Sequence, residues 1–373
     1  PRESKNLIAD STLTLRHTTG ALPRTFAMGG VNGKPLVGYS KPPKKSPWWW
    51  YQFGLSLPSD LRAKTYVITG TTSGTGRAAA MALAERSARI ICLNRPTERA
   101  VEALEAIKTH GAEFCAKVEH VDCDLASFDS VKKAIAKVKK TCADSGIDVL
   151  CCNAGIMAIH DEATKDGYDS QMQVNQLSHF LLAKELMPLL EKAAEQRHRS
   201  RIVMHSSSAR FHHFNLGGKL GAKYFGKNGG NLGGDGGARW QRYHQTKLAN
   251  AVFTAELDRR LRAKGSKVMA LAAAPGFAAT NLQVTTHNDG GMPMGGLMSA
   301  VGMMLVGQSP EDGAMPLLMA MLDNRLASGS FMEPKNMAWG VPVLKQLKGG
   351  CGSEANGKLL WEECEKAVGA FKL

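Results

Sequence analysis

The chain is 373 residues long, 43% hydrophobic and 21% charged, a balance that supports a large buried core and excludes a disordered chain. Its formal charge of +14, from 47 Lys and Arg against 33 Asp and Glu, favours anionic partners such as a phosphorylated cofactor or an anionic membrane surface. The basic residues are dispersed and no nucleic-acid motif accompanies them, so no nucleic-acid partner is expected, and no run of about 18 apolar residues is present to form a membrane-spanning helix.

Residues 1–45 are rich in Thr, Gly, Pro and Lys without a sustained period, and predict an extended arm. The first 60 residues carry eight Lys or Arg and three acids, a balance that fits the flank of an organelle-targeting segment, plastid or mitochondrial. A cytoplasmic location is the alternative. At the end of the arm stands Pro47-Trp48-Trp49-Trp50-Tyr51. Such a run serves as an interfacial membrane anchor, as a docking peptide to a membrane complex, or as packing against the chain's own domain.

From residue 61 the pattern becomes regular and predicts a single domain over 61–373. Strands are expected at Thr65–Thr69, Arg89–Asn94, Lys117–Asp122, Ile147–Cys152, Arg201–Ser206 and Lys267–Ala273. Helices are expected at Arg77–Ser87, Glu98–Thr109, Ser127–Thr141, Gln173–Glu195 and Arg242–Lys264. This alternation predicts an α/β, Rossmann-type doubly wound parallel sheet with helices on both faces. Residues 217–237 hold ten glycines in 21 positions and predict a flexible surface insertion. None of the eight cysteines forms a Cys-x-x-Cys pair, which favours buried free thiols. His179, His205, His212, His213 and His244 match no zinc spacing, so no metal is expected.

Three motifs carry chemistry. Thr69-Gly70-Thr71-Thr72-Ser73-Gly74-Thr75-Gly76 lies between a strand and a helix. There glycines let the backbone approach a pyrophosphate, and the helix start near Arg77 offers free N–H groups to it. The second strand ends in Leu93-Asn94-Arg95-Pro96, without the carboxylate that binds a ribose 2′-hydroxyl. Arg95, helped by Arg77, instead attracts a 2′-phosphate, so the expected cofactor is NADP(H). Tyr243 and Lys247 lie four apart on one helix face. A neighbouring ammonium favours the phenolate, so Tyr243 is expected to have a lowered pKa and to exchange a proton near neutrality.

With these motifs the sequence resembles the short-chain dehydrogenase/reductase family, in its retinol dehydrogenase-like branch, over about residues 62–372. The resemblance takes in Asp124-Leu125, Asn153-Ala154-Gly155, Asn175 in Val174–Phe180, the strand Arg201–Ser207, Tyr243–Leu257, Pro275-Gly276 with Thr280, and Lys358–Glu363. It implies that Ser207 hydrogen-bonds the substrate oxygen, Tyr243 donates the proton and Lys247 binds the nicotinamide ribose. It also implies that Asn175 holds a relay water, that Asp124 and Leu125 lie by the adenine, and that Pro275 and Gly276 shape the nicotinamide pocket. Two departures stand out: Thr71-Thr72 replaces the branch's usual Ala-Asn-like pair, and the glycine-rich insertion puts Ser207 and Tyr243 36 residues apart.

Where the family builds its substrate segment, this chain reads Gly291–Met298 and then Met303–Val306, with five methionines. Methionines adapt to irregular apolar ligands, which fits a hydrophobic small-molecule substrate such as a retinoid, isoprenoid or tetrapyrrole pigment; ordinary core packing is the alternative. Two other functions fit the same residues. Asp148–Ala154 is reminiscent of protochlorophyllide reductase. The basic arm and tryptophans fit an accessory subunit of an organellar membrane complex that keeps the fold.

Overall fold

The computed structural model describes residues 44–211, 216–291 and 307–373. The arm 1–43, His212, His213 and the methionine-rich stretch 292–306 lie outside the described residues.

Eight strands form one sheet in the order β3-β2-β1-β4-β5-β6-β7-β8. They are β1 (Thr65–Thr69), β2 (Arg89–Asn94), β3 (Lys117–Asp122), β4 (Val149–Cys152), β5 (Ser200–His205), β6 (Val268–Ala273), β7 (Phe331–Pro334) and β8 (Pro342–Lys345). All neighbours are parallel except β8, which turns back antiparallel on β7. The central strands read TYVIT, VLCC and VMALAA and are buried throughout, because helices cover both faces.

One face carries α1 (Pro47–Gly54), α2 (Gly74–Ala84) and α8 (Pro310–Leu322), which share a core with Ile68, Ile90, Val203 and Leu271. The other carries α4 (Phe128–Thr141), α5 (Ser178–Arg197), α6 (Gly236–Ala263) and α9 (Glu354–Val368), packed on Val67, Ile91, Ile202 and Met204. Side chains alternate across each strand, so Val67 and Ile68 enter opposite cores. Two more helices, α3 (Glu98–Ala112) and α7 (Asn281–Asn288), complete the set used below. The tail is part of the body: Trp361 is buried, with its ring stacked on Phe253 and Phe371. A side chain of that size contributes at least about 1.5–3 kcal/mol on burial.

Three expectations need correction. Residues 46–61 belong to the body rather than to an arm. Asp312 on α8 accepts Ser46 N (3.1 Å) and Trp50 Nε1 (3.0 Å), while Phe53, Leu57 and Leu61 enter the core. Within the Trp run, Trp50 therefore packs inward, whereas Trp48 stays exposed.

The glycine-rich stretch is pinned rather than loose. Asn356 accepts Leu220 N (3.1 Å) and donates to the Gly218 carbonyl (2.8 Å). Gln245 accepts Gly221 N (2.8 Å), and the Asp161 carboxylate accepts three backbone N–H groups, those of Gly230, Leu232 and Gly233. Within the stretch itself, Tyr224 and Phe225 are buried and anchor it.

Helix α6 starts at Gly236, not Arg242, because Asp235 caps it by accepting Ala238 N at 2.7 Å. Beyond β6, β7 and β8 extend the sheet and α8 covers one face of it, in segments too short or too mixed for a period to reveal.

Candidate active site

The strand order reverses between β1 and β4, and parallel sheets open a crevice there at the strand C-termini. A cleft of about 1130 Å³ occupies this place. It exceeds an ordinary small-ligand pocket of roughly 300–1,000 Å³, leaving room for a dinucleotide and a second molecule.

The glycine turn forms the floor. Gly70 has φ +73°, and a Cβ there would come within 2.9 Å of Ala154. A Cβ on Gly76 would collide with Asn153 and the Gly70 carbonyl, so Gly76 allows α2 to pack against β4's end without itself lining the cleft. Asn153 brackets the turn: its Nδ2 donates to the Thr69 and Gly70 carbonyls (2.9 and 3.0 Å), and its Oδ1 accepts Thr75 Oγ1 (3.2 Å). The Thr69 hydroxyl accepts Asn153 N and Ala154 N. Thr71, one of the two departures from the branch pattern, is clamped by Asn94, which accepts its N–H (2.7 Å) and donates to its hydroxyl (2.9 Å). Asn94 lines the cleft, but both its polar atoms are spent on this brace.

These features fit a dinucleotide. The Ser73 side chain does not cap α2, so the first N–H groups of that helix face the cleft beside Thr72, Ser73, Gly74 and Thr75. Thr280 closes this end, its methyl 3.1 Å from where a Gly74 Cβ would stand. Leu93, Asp124, Leu125 and Gly155 continue the wall. Pro275 and Gly276 line the far end; Gly276 has φ +68°, and any Cβ there would collide with the Ala338 carbonyl.

At the β2 end stand Arg95 and Arg99, both exposed on the cleft, with Arg77 near enough that the three repel. Burial, then Arg95 and Arg77, holds the Arg99 guanidinium below its usual range. Arg99 was missed in the sequence. It lies four residues after Arg95, across the start of α3 that Thr97 caps, and that spacing was the available signal.

Ser207 and Tyr243 meet despite their separation in sequence. Ser207 follows β5 by two residues, and its hydroxyl lies close enough to the Tyr243 phenol to lower that group's pKa. Burial pushes Tyr243 up to about 12, against the lowering by Ser207. The lowering expected from Lys247 does not govern the phenol: its Nζ sits 5.8 Å from the ring centroid and donates to the His205 carbonyl at 2.9 Å. Burial pulls Lys247 itself down to about 8.

Asn175 sits in a π-helical turn, Gln173–Leu177. Its side chain holds Ile156, with Oδ1 accepting Ile156 N and Nδ2 donating to the Ile156 carbonyl, both at 2.9 Å. A Cβ on Gly155 would stand 3.2 Å from Asn175 Oδ1 and 3.5 Å from Lys247 Nζ, so the two groups border one small space.

His205, which the sequence marks only as lacking a zinc spacing, also lines the cleft. Its Nδ1 is 2.9 Å from Asn153 Oδ1, an oxygen that can only accept, so Nδ1 carries the proton and Nε2 is a buried bare acceptor without a partner. Burial, then the Lys247 charge, pushes His205 down to about 3. Among the described residues no group of His, Cys, Asp or Glu is placed to hold a metal.

The wall before Tyr243 is apolar: Met157, Ala209, Trp240 and Leu282 pack around it. The segment 156–162 that carries Met157 is held from several sides. Arg242, fully buried and paired with Asp169 at 2.6 Å, donates to the Ile159 carbonyl (2.9 Å), and Thr286 donates to the Met157 carbonyl (2.7 Å). No local pattern in the sequence marks this wall, because every tie in it is tertiary.

A chain with room for a dinucleotide at a sheet's switch point, and with Ser207 and Tyr243 lining the same cleft, takes its place among the nicotinamide-dependent oxidoreductases. The comparisons agree. The short chain dehydrogenase family model matches residues 64–223. Retinol dehydrogenase 13 of Homo sapiens is 30% identical over 331 residues, covering 86% of this chain and 89% of that protein. Polyprenol dehydrogenase of Homo sapiens is 30% identical over 217 residues, 58% of this chain and 61% of that protein. A solved structure from Mycobacterium paratuberculosis is 30% identical, with a TM-score of 0.63 over 86% of this chain and 98% of that one. The chain belongs to the short-chain dehydrogenase/reductase family, in its retinol dehydrogenase-like branch, and is an alcohol/carbonyl oxidoreductase.

Proposed function

We propose that the enzyme uses NADP(H) and moves a hydride between nicotinamide and the carbonyl or alcohol carbon of a hydrophobic, retinoid-, isoprenoid- or pigment-like substrate. The observation that carries the cofactor choice is the Arg77–Arg95–Arg99 cluster. None of the three has a carboxylate partner among the described residues, and two of them face the cleft where a 2′-phosphate belongs. The apolar wall of Met157, Ala209, Trp240 and Leu282 supports the substrate class, as do the names of relatives that act on retinol and polyprenol.

The nicotinamide supplies or accepts the hydride. The residues of the chain handle the proton and the charge. In the reductive direction Ser207 donates a hydrogen bond to the substrate oxygen and stabilises its growing negative charge. Tyr243, held as a neutral phenol by burial, gives its proton to that oxygen. The phenolate left behind is balanced by Lys247, whose ammonium the His205 carbonyl orients. Asn175 borders the same space as Lys247, where a water can pass protons onward. The apolar wall excludes bulk water from the reacting carbon.

The test is consumption of NADPH, with NADH in parallel, over retinoid, polyprenal, steroid, quinone and tetrapyrrole carbonyls, with Tyr243→Phe as control. Turnover confined to small polar carbonyls, or equal use of NADH, refutes the reading.

A further inference from the structure

Among the described residues nine large apolar side chains are exposed, and six of them fall in two short segments that meet in space. On α1 and its C-cap, Trp48, Tyr51 and Leu55 are 63%, 65% and 73% exposed and occupy one face, at i, i+3 and i+7. On the β7–β8 hairpin the exposed residues are Met337, Trp339 and Leu344. The segments are joined where Trp49 stacks on Trp339, with ring centroids 6.2 Å apart. Helix α1 is a rigid platform, because Asp312 holds both its N-terminus and Trp50.

The charge within the two segments themselves has one sign. Residues 44–59 and 334–348 carry Lys44, Lys45, Lys335, Lys345 and Lys348, all exposed, and no acid. Asp312, the carboxylate that α1 touches, is buried and consumed by its hydrogen bonds to Ser46 and Trp50. The surface also reaches the cleft: Phe277, which lines it and is itself exposed, donates its N–H to the Ala338 carbonyl of the hairpin at 2.7 Å.

We propose that α1 and the β7–β8 hairpin form a docking surface for an anionic lipid bilayer, which places the mouth of the cleft at the membrane. Tryptophan and tyrosine settle at headgroup depth, where ring and polar edge are both satisfied, and lysines around them reach anionic headgroups. A second copy of the chain is a poor occupant, since a two-fold interface would set these lysines against each other. The surface suits the lipid-like substrate of the previous section without depending on it, because vesicle binding is read with no turnover.

The test is flotation of the full chain with vesicles of phosphatidylcholine alone and with about one third phosphatidylglycerol. Two variants are compared, Trp48→Ser/Tyr51→Ser/Leu55→Ser and Lys335→Glu/Lys345→Glu, neither touching the cleft. The wild type is expected to float with anionic vesicles, with a blue shift of tryptophan emission, and to stay behind with neutral ones. Each variant is expected to lose at least about tenfold of its bound fraction. Wild-type flotation unaffected by either variant, equal binding to neutral vesicles, no binding to either, or transfer of the wild type to an acidic protein or a dimer instead of lipid would each overturn the proposal.

Discussion

Arg210 and Glu333 form a buried ion pair, 2.7 Å apart, directly behind Ser207. Arg210 donates to the Ser207 carbonyl at 2.9 Å and lies 4.0 Å over the Phe331 ring, so β7 fixes the turn that presents the serine hydroxyl. A pair this deep costs much of its attraction in desolvation, but removing one partner strands the other. Arg210→Met is therefore expected to lower stability by about 3–5 kcal/mol. Arg210→Met/Glu333→Leu recovers most of that loss. Both variants lower kcat more than KM, because the Ser207 hydroxyl is no longer held. Denaturant unfolding and steady-state kinetics check both statements; a double variant as unstable as the single one contradicts the pairing.

Tyr243→Phe keeps the buried ring and removes only the hydroxyl, whose acidity burial and Ser207 set. It is expected to lower turnover by about 10²–10⁴-fold while cofactor binding, followed by fluorescence of bound NADPH, stays within about twofold. Wild-type rates in this variant would refute the role of the phenol.

Arg95→Ala/Arg99→Ala removes the two cationic groups that face the cleft at the β2 end. Charge-assisted hydrogen bonds contribute about 1.5–3 kcal/mol each, so KM for NADPH is expected to rise at least about tenfold with little change for NADH. Parallel rises for both cofactors contradict the assigned site.

Lys247 is buried and pulled down from 10.5 to about 8. The unfolded chain therefore holds more protons between those pH values, and stability from this group rises with pH across that window as the buried charge is relieved. Lys247→Met removes the penalty on burying that charge. It is expected to raise stability at pH 7 by up to about 3 kcal/mol while abolishing turnover. A thermal melt checks the first statement, and a destabilised variant would contradict it.

His205 and His179 are buried neutral, held down at about 3 and about 4 against an ordinary 6.5. Because the unfolded histidines take up protons below about 6.5, stability from these groups is complete above that pH and is lost as pH falls toward the folded values. Replacing His205 by Val removes one such proton. The fall in stability between about pH 6 and 4 is expected to flatten by about 1.4 kcal/mol per pH unit. Unfolding titrations at several pH values read the slope directly, and parallel slopes would refute it.

Local sequence determined the strands and helices as far as β6, the glycine turn, the missing acid after β2 and the Tyr243–Lys247 spacing, because each is a short-range pattern with its own steric or electrostatic cause. The two faces of the sheet were legible for the same reason: strands buried on both sides must be apolar throughout. Tertiary structure alone decided the rest. Asn356, Gln245 and Asp161 pin the glycine-rich stretch from distant elements. Ser207 reaches Tyr243 across 36 residues, and burial rather than Lys247 governs the phenol's acidity. Arg210 finds Glu333 across 123 positions. Contacts between residues so far apart leave no periodic trace, and desolvation depends on neighbours that only the folded chain supplies.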